Sequence, residues 1–326
     1  MTAIQNLKNK KPIINKIIRI VGICIVVFSF IYIIWIGFSN WRAIKQTISI
    51  QDKLIWLIIG ILIYMLILML LSLAWKKSLH LLGKNITFKE SYIIFNRSLI
   101  SKYLPGNIFQ YVGRFLLGRN IGISDVTLIS SILLETISLI IASIILVLSF
   151  NIILGWVYKF NNLTLSLSAA FIILSIIIII ILKYSFKIRQ WFLKKPWFLQ
   201  ISTISLKSLL IGIIPILFIY LSFLLASGLL FWFLSITVFE ININNSILIF
   251  IGAYIISWTI GFITPGAPGG LGVREAILIA ILSPYIFEAK ALSIALIFRL
   301  ITILGEVLLF ITTYFLKEIR IKKLPI

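Results

Sequence analysis

Cysteine and histidine are nearly absent from this 326-residue chain, which has one of each, and its acidic residues number only nine. The lone Cys24 excludes an internal disulfide and reads as a small apolar filler. The lone His80, with no cysteine or carboxylate beside it, argues against a zinc site. No G-x-x-x-x-G-K phosphate loop, H-E-x-x-H, C-x-x-C or G-x-S-x-G pattern occurs. No stretch between the apolar runs is long enough for a catalytic domain. These absences point away from an enzyme, from ATP-driven work by this chain alone, and from a cofactor or metal.

Basic residues are plentiful: 30 Lys and Arg give a formal charge of +21. In a soluble protein that balance suggests nucleic acid. Here the bases gather between apolar runs, as in "KNKKPIINKIIR" and "KYSFKIRQWFLKK". No soluble basic module is left, so nucleic acid is not an expected partner. Such placement fixes orientation in a bilayer and meets anionic lipid headgroups.

Hydrophobic residues make up 61% of the chain and the mean hydropathy is +1.16, well above a soluble domain. The expectation is an all-α polytopic membrane protein, a single transmembrane domain over residues 1–326. A crossing helix needs about 20 apolar residues. Six segments meet this: 17–38, 54–74, 126–150, 163–182, 208–234 and 292–316. The first follows a basic start but is too long for a signal-peptide core and lacks a small-residue cleavage site, so it reads as an uncleaved span.

Two further segments, 88–119 and 246–290, are apolar but broken. The first breaks at Pro105-Gly106 and the second at Pro265-Gly266, in "PGNIFQYVGR" (105–114) and "PGAPGGLGVR" (265–274). Both decamers begin Pro-Gly and end Arg, and the segments around them keep the same order: two spans, a broken segment, one span. This predicts an internal duplication, with halves at 17–154 and 163–316. Three full spans per half would place the second half in the membrane upside down, the inverted-repeat plan of many transporters. Lys and Arg concentrate in the N-terminus, in 75–125, in 183–207 and in the tail, which predicts cytoplasmic termini in a prokaryotic plasma membrane. Loop 39–53, with Arg42, Lys45 and Lys53, departs from the pattern. Each broken segment then re-enters as a helical hairpin, giving six full spans and two hairpins. The alternative is eight spans.

The breaks carry the chemistry. Pro265, Gly266, Pro268, Gly269, Gly270 and Gly272 stop one helix, allow a turn and start the next. Asn107, Gln110, Tyr111 and Arg114 fall on one helical face, and Glu90, Arg97 and Ser101 form a stripe on the preceding arm. That polarity suits a hairpin sheltered from lipid tails, or an amphipathic helix lying in the interface. Arg274 and Glu275 open the returning arm of the second hairpin, where free helix N–H groups favour an anion. Arg299 and Glu306 share a face of the last span, and Glu135 lies inside the third. Ionisable groups at such depth line a functional cavity or form structural ion pairs, such as Arg299 with Glu306 or Glu135.

"KYLPGNIFQYVGR", "GFITPGAPGGLGVREA" and "FRLITILGE" together resemble the transmembrane region of lysylphosphatidylglycerol synthases, a flippase-like family also found in archaeal dolichol-phosphate glycosyltransferases. The resemblance runs over nearly the whole chain. It implies movement between leaflets of a lipid with a charged or sugar headgroup, a phospholipid or a polyprenyl-phosphate-linked lipid. It also implies headgroup roles for Arg114, Arg274, Glu275 and Arg299. Full-length synthases add a cytoplasmic domain that transfers lysine from tRNA. With about ten residues after the last span, that domain is not expected here. A non-transporting membrane partner of a separately encoded glycosyltransferase or synthase is the second expectation, and an enzyme acting on a polyprenyl-phosphate lipid the third.

Overall fold

The computed structural model describes residue 38 and residues 50–104, 108–158, 195–241, 246–264 and 267–316. The expected spans 17–38 (apart from residue 38) and 163–182, Cys24, the Pro105-Gly106-Asn107 turn and Pro265-Gly266 lie outside the described residues.

Within them every regular element is helical. In chain order these are α1 (Ile50–Leu81), α2 (Phe88–Leu99), α3 (Phe109–Asn120), α4 (Asp125–Tyr158), α5 (Pro196–Ser202), α6 (Leu206–Phe239), α7 (Ser246–Ile263), α8 (Val273–Leu282) and α9 (Glu288–Phe315). A 3₁₀ turn, Ile100–Tyr103, leads into the first break, and another, Pro268–Gly270, follows the second. Helix is what such a sequence must form in lipid, where each backbone polar group needs a partner within its own segment.

Among the described residues, four helices contain segments long and apolar enough to cross a membrane: Lys53–Leu81, Asp125–Phe150, Lys207–Phe239 and Glu288–Phe315. They cover the expected spans 54–74, 126–150, 208–234 and 292–316. The arms of the broken segments are shorter. At 1.5 Å per residue, α2 and α3 each reach about 18 Å and α8 about 15 Å, against a hydrocarbon core of about 30 Å. None of these three crosses by itself.

Helix ends are set by local chemistry. Thr87 and Glu90 form a reciprocal capping box at the start of α2, with the Thr87 N–H donating to Glu90 at 2.7 Å. Glu90 of the polar stripe is thereby engaged as a helix cap. Gly83 and Gly122, at φ of 78° and 79°, follow α1 and α3 in the left-handed conformation that ends helices.

The long helices turn their polar residues inward. On α9, Arg299, Thr302, Glu306 and Thr313 are buried while Leu300, Leu304, Leu308 and Ile311 are exposed. On α4, Ser131, Glu135, Ser138 and Ser143 are buried while Ile137, Ile141 and Ile145 are exposed. Small and hydroxyl side chains at the seams let backbones approach and bond across helices. Trp75 Nε1 donates to Ser131 Oγ at 3.2 Å, joining α1 to α4. Ser91 donates to the Ser72 carbonyl at 2.6 Å, joining α2 to α1. Arg97 donates to the Thr313 carbonyl at 3.1 Å and lies over the Tyr314 ring, tying α2 to α9.

The most extensive packing is between α1 and α6. Most of the other helix contacts come in matched pairs, the packing of α5 on α4 being an exception. α1–α2 corresponds to α6–α7, α2–α3 to α7–α8, and α3–α4 to α8–α9. Across the middle, α4–α6 corresponds to α9–α1 and α4–α7 to α9–α2. The two 3₁₀ turns also touch each other.

Candidate functional site

Where the turns meet, charged side chains from both broken segments and from α4 and α9 gather around one space. A cavity of about 50 Å³ is lined by residues including Tyr64, Lys102, Gln110, Arg114, Glu135, Arg274 and Glu306. It has room for a few waters. A smaller one, about 20 Å³, lies on the other side of Arg274, among Ser257, Glu275, Arg299 and Thr302.

Each carboxylate has its own cation. Arg114 on α3, 1% exposed, donates through Nη1 to Glu135 on α4 and lies over the Phe95 ring at 4.0 Å. Gln110, one turn earlier on α3, is buried beside it. Glu275 on α8 pairs with Arg299 on α9, Nε to Oε1 at 3.6 Å. Arg299 also donates through Nη2 to the Gly269 carbonyl at 2.7 Å, which fastens the second tip to α9. Gly269 itself has φ 56°, and a side chain there would crowd Tyr103 of the first tip.

Glu306, 2% exposed, accepts from Lys102 Nζ at 2.5 Å, from Tyr103 at 2.8 Å and from Tyr64 at 3.4 Å. Thus α9 holds the first tip as well. Lys102, Tyr103 and Tyr64 were not among the residues expected from sequence. Lys102 stands three places before Pro105, in "SKYLPG", so a lysine just ahead of a membrane-depth break was the available signal.

Arg274 stands apart. Among the described residues no carboxylate lies within 4.0 Å of it, and its Nε is buried without a hydrogen-bond partner. Its guanidinium sits 5.0 Å over the Trp258 ring. Its stem occupies a slot made by two glycines: a Cβ on Gly261 would collide with Arg274 Cγ, and one on Gly270 would lie 2.7 Å from Nε. The α8 N-terminus beside it carries no side-chain cap, with Gly272 at φ 80° in the cap position. Neighbours on a helix point about 100° apart, so Glu275 turns toward α9 and does not serve Arg274.

The structure therefore gathers Gln110, Arg114, Glu135, Arg274, Glu275, Arg299 and Glu306. The pairs differ from the sequence expectation: Arg299 takes Glu275, and Glu306 takes Lys102. Pro268, Gly269 and Gly270 form the second turn and are buried. His80 lies outside this region, at the exposed end of α1 beside Asn85.

The family described as the lysylphosphatidylglycerol synthase TM region matches residues 19–309. No curated protein and no solved structure matches the chain. That match covers most of the sequence and agrees with the apolar helices, so this multi-pass membrane protein belongs to the lysylphosphatidylglycerol synthase TM region family and to lipid handling.

Proposed function

We propose that the protein is a lipid translocase that carries a phosphate-bearing headgroup through the space between its two hairpins while the tails stay in the bilayer. The observation that carries this reading is Arg274, a half-buried guanidinium with an enclosed, unpartnered Nε and no carboxylate beside it, in a cavity lined from both broken segments. An unpaired cation in a low-dielectric interior is costly, and an anion arriving beside it relieves that cost. Its planar fork and the uncapped α8 N-terminus both suit phosphate oxygens.

The topology we favour is an inverted repeat of six spans with two re-entrant hairpins, both termini cytoplasmic, in a prokaryotic plasma membrane. The matched helix contacts and the short α2, α3 and α8 support it. Exposure of the cavity to each leaflet in turn would come from rocking one half against the other. On this reading the chain performs transport, not catalysis, and Arg274, Gln110 and the α8 N-terminus contact the headgroup. Arg114 and Arg299, already paired, hold the hairpins in place.

The small cavity favours one alternative. A chain closed around about 50 Å³ could serve as a non-transporting partner that anchors a glycosyltransferase or synthase. Leaflet exchange in proteoliposomes separates the two. Fluorescent phosphatidylglycerol, a lysylated analogue and a polyprenyl-phosphate sugar would be compared using wild type and Arg274→Ala. Exchange of one lipid class that vanishes in the variant supports transport. Equal, slow exchange in wild type, variant and empty vesicles overturns it and favours the partner reading.

A further inference from the structure

The two adjoining cavities hold four cations, Lys102, Arg114, Arg274 and Arg299, and three carboxylates, Glu135, Glu275 and Glu306. Among the described residues each carboxylate is matched to a separate cation, and the surplus is a single positive charge on Arg274. We propose that the site accepts one negative charge and no more: its ligand is a phosphodiester, and phosphate monoesters and diphosphates are rejected as dianions. This rests on the reading of the cavity as a headgroup site and narrows it.

The physical reason is the cost of unmatched charge away from water. A phosphodiester carries one charge and neutralises the surplus. A monoester above its second pKa of about 6 brings a second charge. That charge stays bare, or it draws Lys102, Arg114 or Arg299 from its carboxylate and leaves that carboxylate bare. Either outcome leaves one buried ion unpaired. The tyrosines lining the space, Tyr64, Tyr111 and Tyr220, are neutral and offer hydroxyls without altering the count. Among candidate lipids the count favours glycerophospholipids and polyprenyl-phosphate sugars, which are diesters. It disfavours a bare polyprenyl phosphate and diphosphate-linked lipids.

The test is lipid competition on the full chain in detergent at pH 8, read by native mass spectrometry. The probes are phosphatidylglycerol, phosphatidic acid, inorganic phosphate and uncharged diacylglycerol. Wild type is expected to prefer the diester phosphatidylglycerol to phosphatidic acid by about tenfold or more. Glu306→Gln, Glu275→Gln and Glu135→Gln each raise the surplus to two, so each variant that folds should lose or reverse that preference. The shared direction at three separate places reports the charge count, which no single local contact would mimic. Equal or tighter binding of phosphatidic acid to wild type, or an unchanged preference in every folded variant, overturns the one-charge site. Inorganic phosphate displacing both lipids overturns the lipid ligand and points to a free anion. Both phospholipids binding no better than diacylglycerol overturns the headgroup reading of the cavity, and the one-charge site with it.

Discussion

The two broken segments share a Pro-Gly start and a closing arginine ten residues on, yet they end in opposite electrostatic states. In the first, the arginine that closes the decamer, Arg114, meets Glu135 on α4. In the second, Arg274 has the corresponding place, but α9 presents Arg299 at almost the same height. Glu135 is the eleventh residue of α4 and Arg299 the twelfth of α9. One helix therefore supplies a carboxylate and the other a second cation. Glu275, where the first segment has Phe115, pairs with Arg299, and Arg274 is left over. A single change of sign at one helical level leaves the first arginine paired with a carboxylate and the second without one.

That contrast breaks most severely at the closed pair. Glu135→Ala leaves Arg114 buried without a counter-ion, which costs about 3–5 kcal/mol. We expect a large fall in thermal midpoint in detergent, or little folded protein at all. Arg274→Ala gives the opposite result. It removes no ion pair, so the midpoint should stay near wild type, while lipid exchange in proteoliposomes falls by about tenfold or more, as for a lost charged hydrogen bond. A destabilisation equal to that of Glu135→Ala would mean that the two arginines do the same structural job.

Gly261→Ala sharpens the contrast from the side of sterics. The added methyl occupies the Arg274 stem's slot, and overpacking costs about 1–3 kcal/mol. Exchange should drop while folded yield remains measurable, and Gly113→Ala, where the nearest side-chain atom would be 3.3 Å away, should be milder on both readouts.

The smallest effect is expected far from both pairs. Lys53 donates to Glu240 and to the Val238 carbonyl, the latter at 3.0 Å, at the end of α6. The hydrogen bond from Lys53, and then its charge, hold the exposed Glu240 carboxylate below its usual value. Because that value is depressed on folding, its contribution is present at neutral pH and is lost as pH falls through the folded value. Lys53→Met should lower the thermal midpoint slightly at pH 7, and the difference from wild type should vanish in acid.

Much of the helical plan was legible because lipid forces it: an apolar run of sufficient length has little choice but helix. The breaks were legible because Pro-Gly at membrane depth needs a reason, and the charged residues beside them because depth makes charge expensive. Pairing was not legible. Arg274 and Glu275 are adjacent in sequence, yet helix geometry sends them to different neighbours. Tyr64 is one aromatic within a long apolar helix, and nothing local marks it as a donor to Glu306, 242 positions away. Such contacts depend on where α1 and α9 cross, which no single segment encodes.

The 3₁₀ turns beside both breaks are fastened to α9, one through Gly269 to Arg299 and the other through Lys102 and Tyr103 to Glu306. These anchors are seven residues apart, two helical turns on one rod. If the protein moves lipid as proposed, a tilt of that rod pulls on both breaks together, and they act as one rocker and not as two independent doors. On that reading, cutting one fastener leaves the other break attached and uncouples the two.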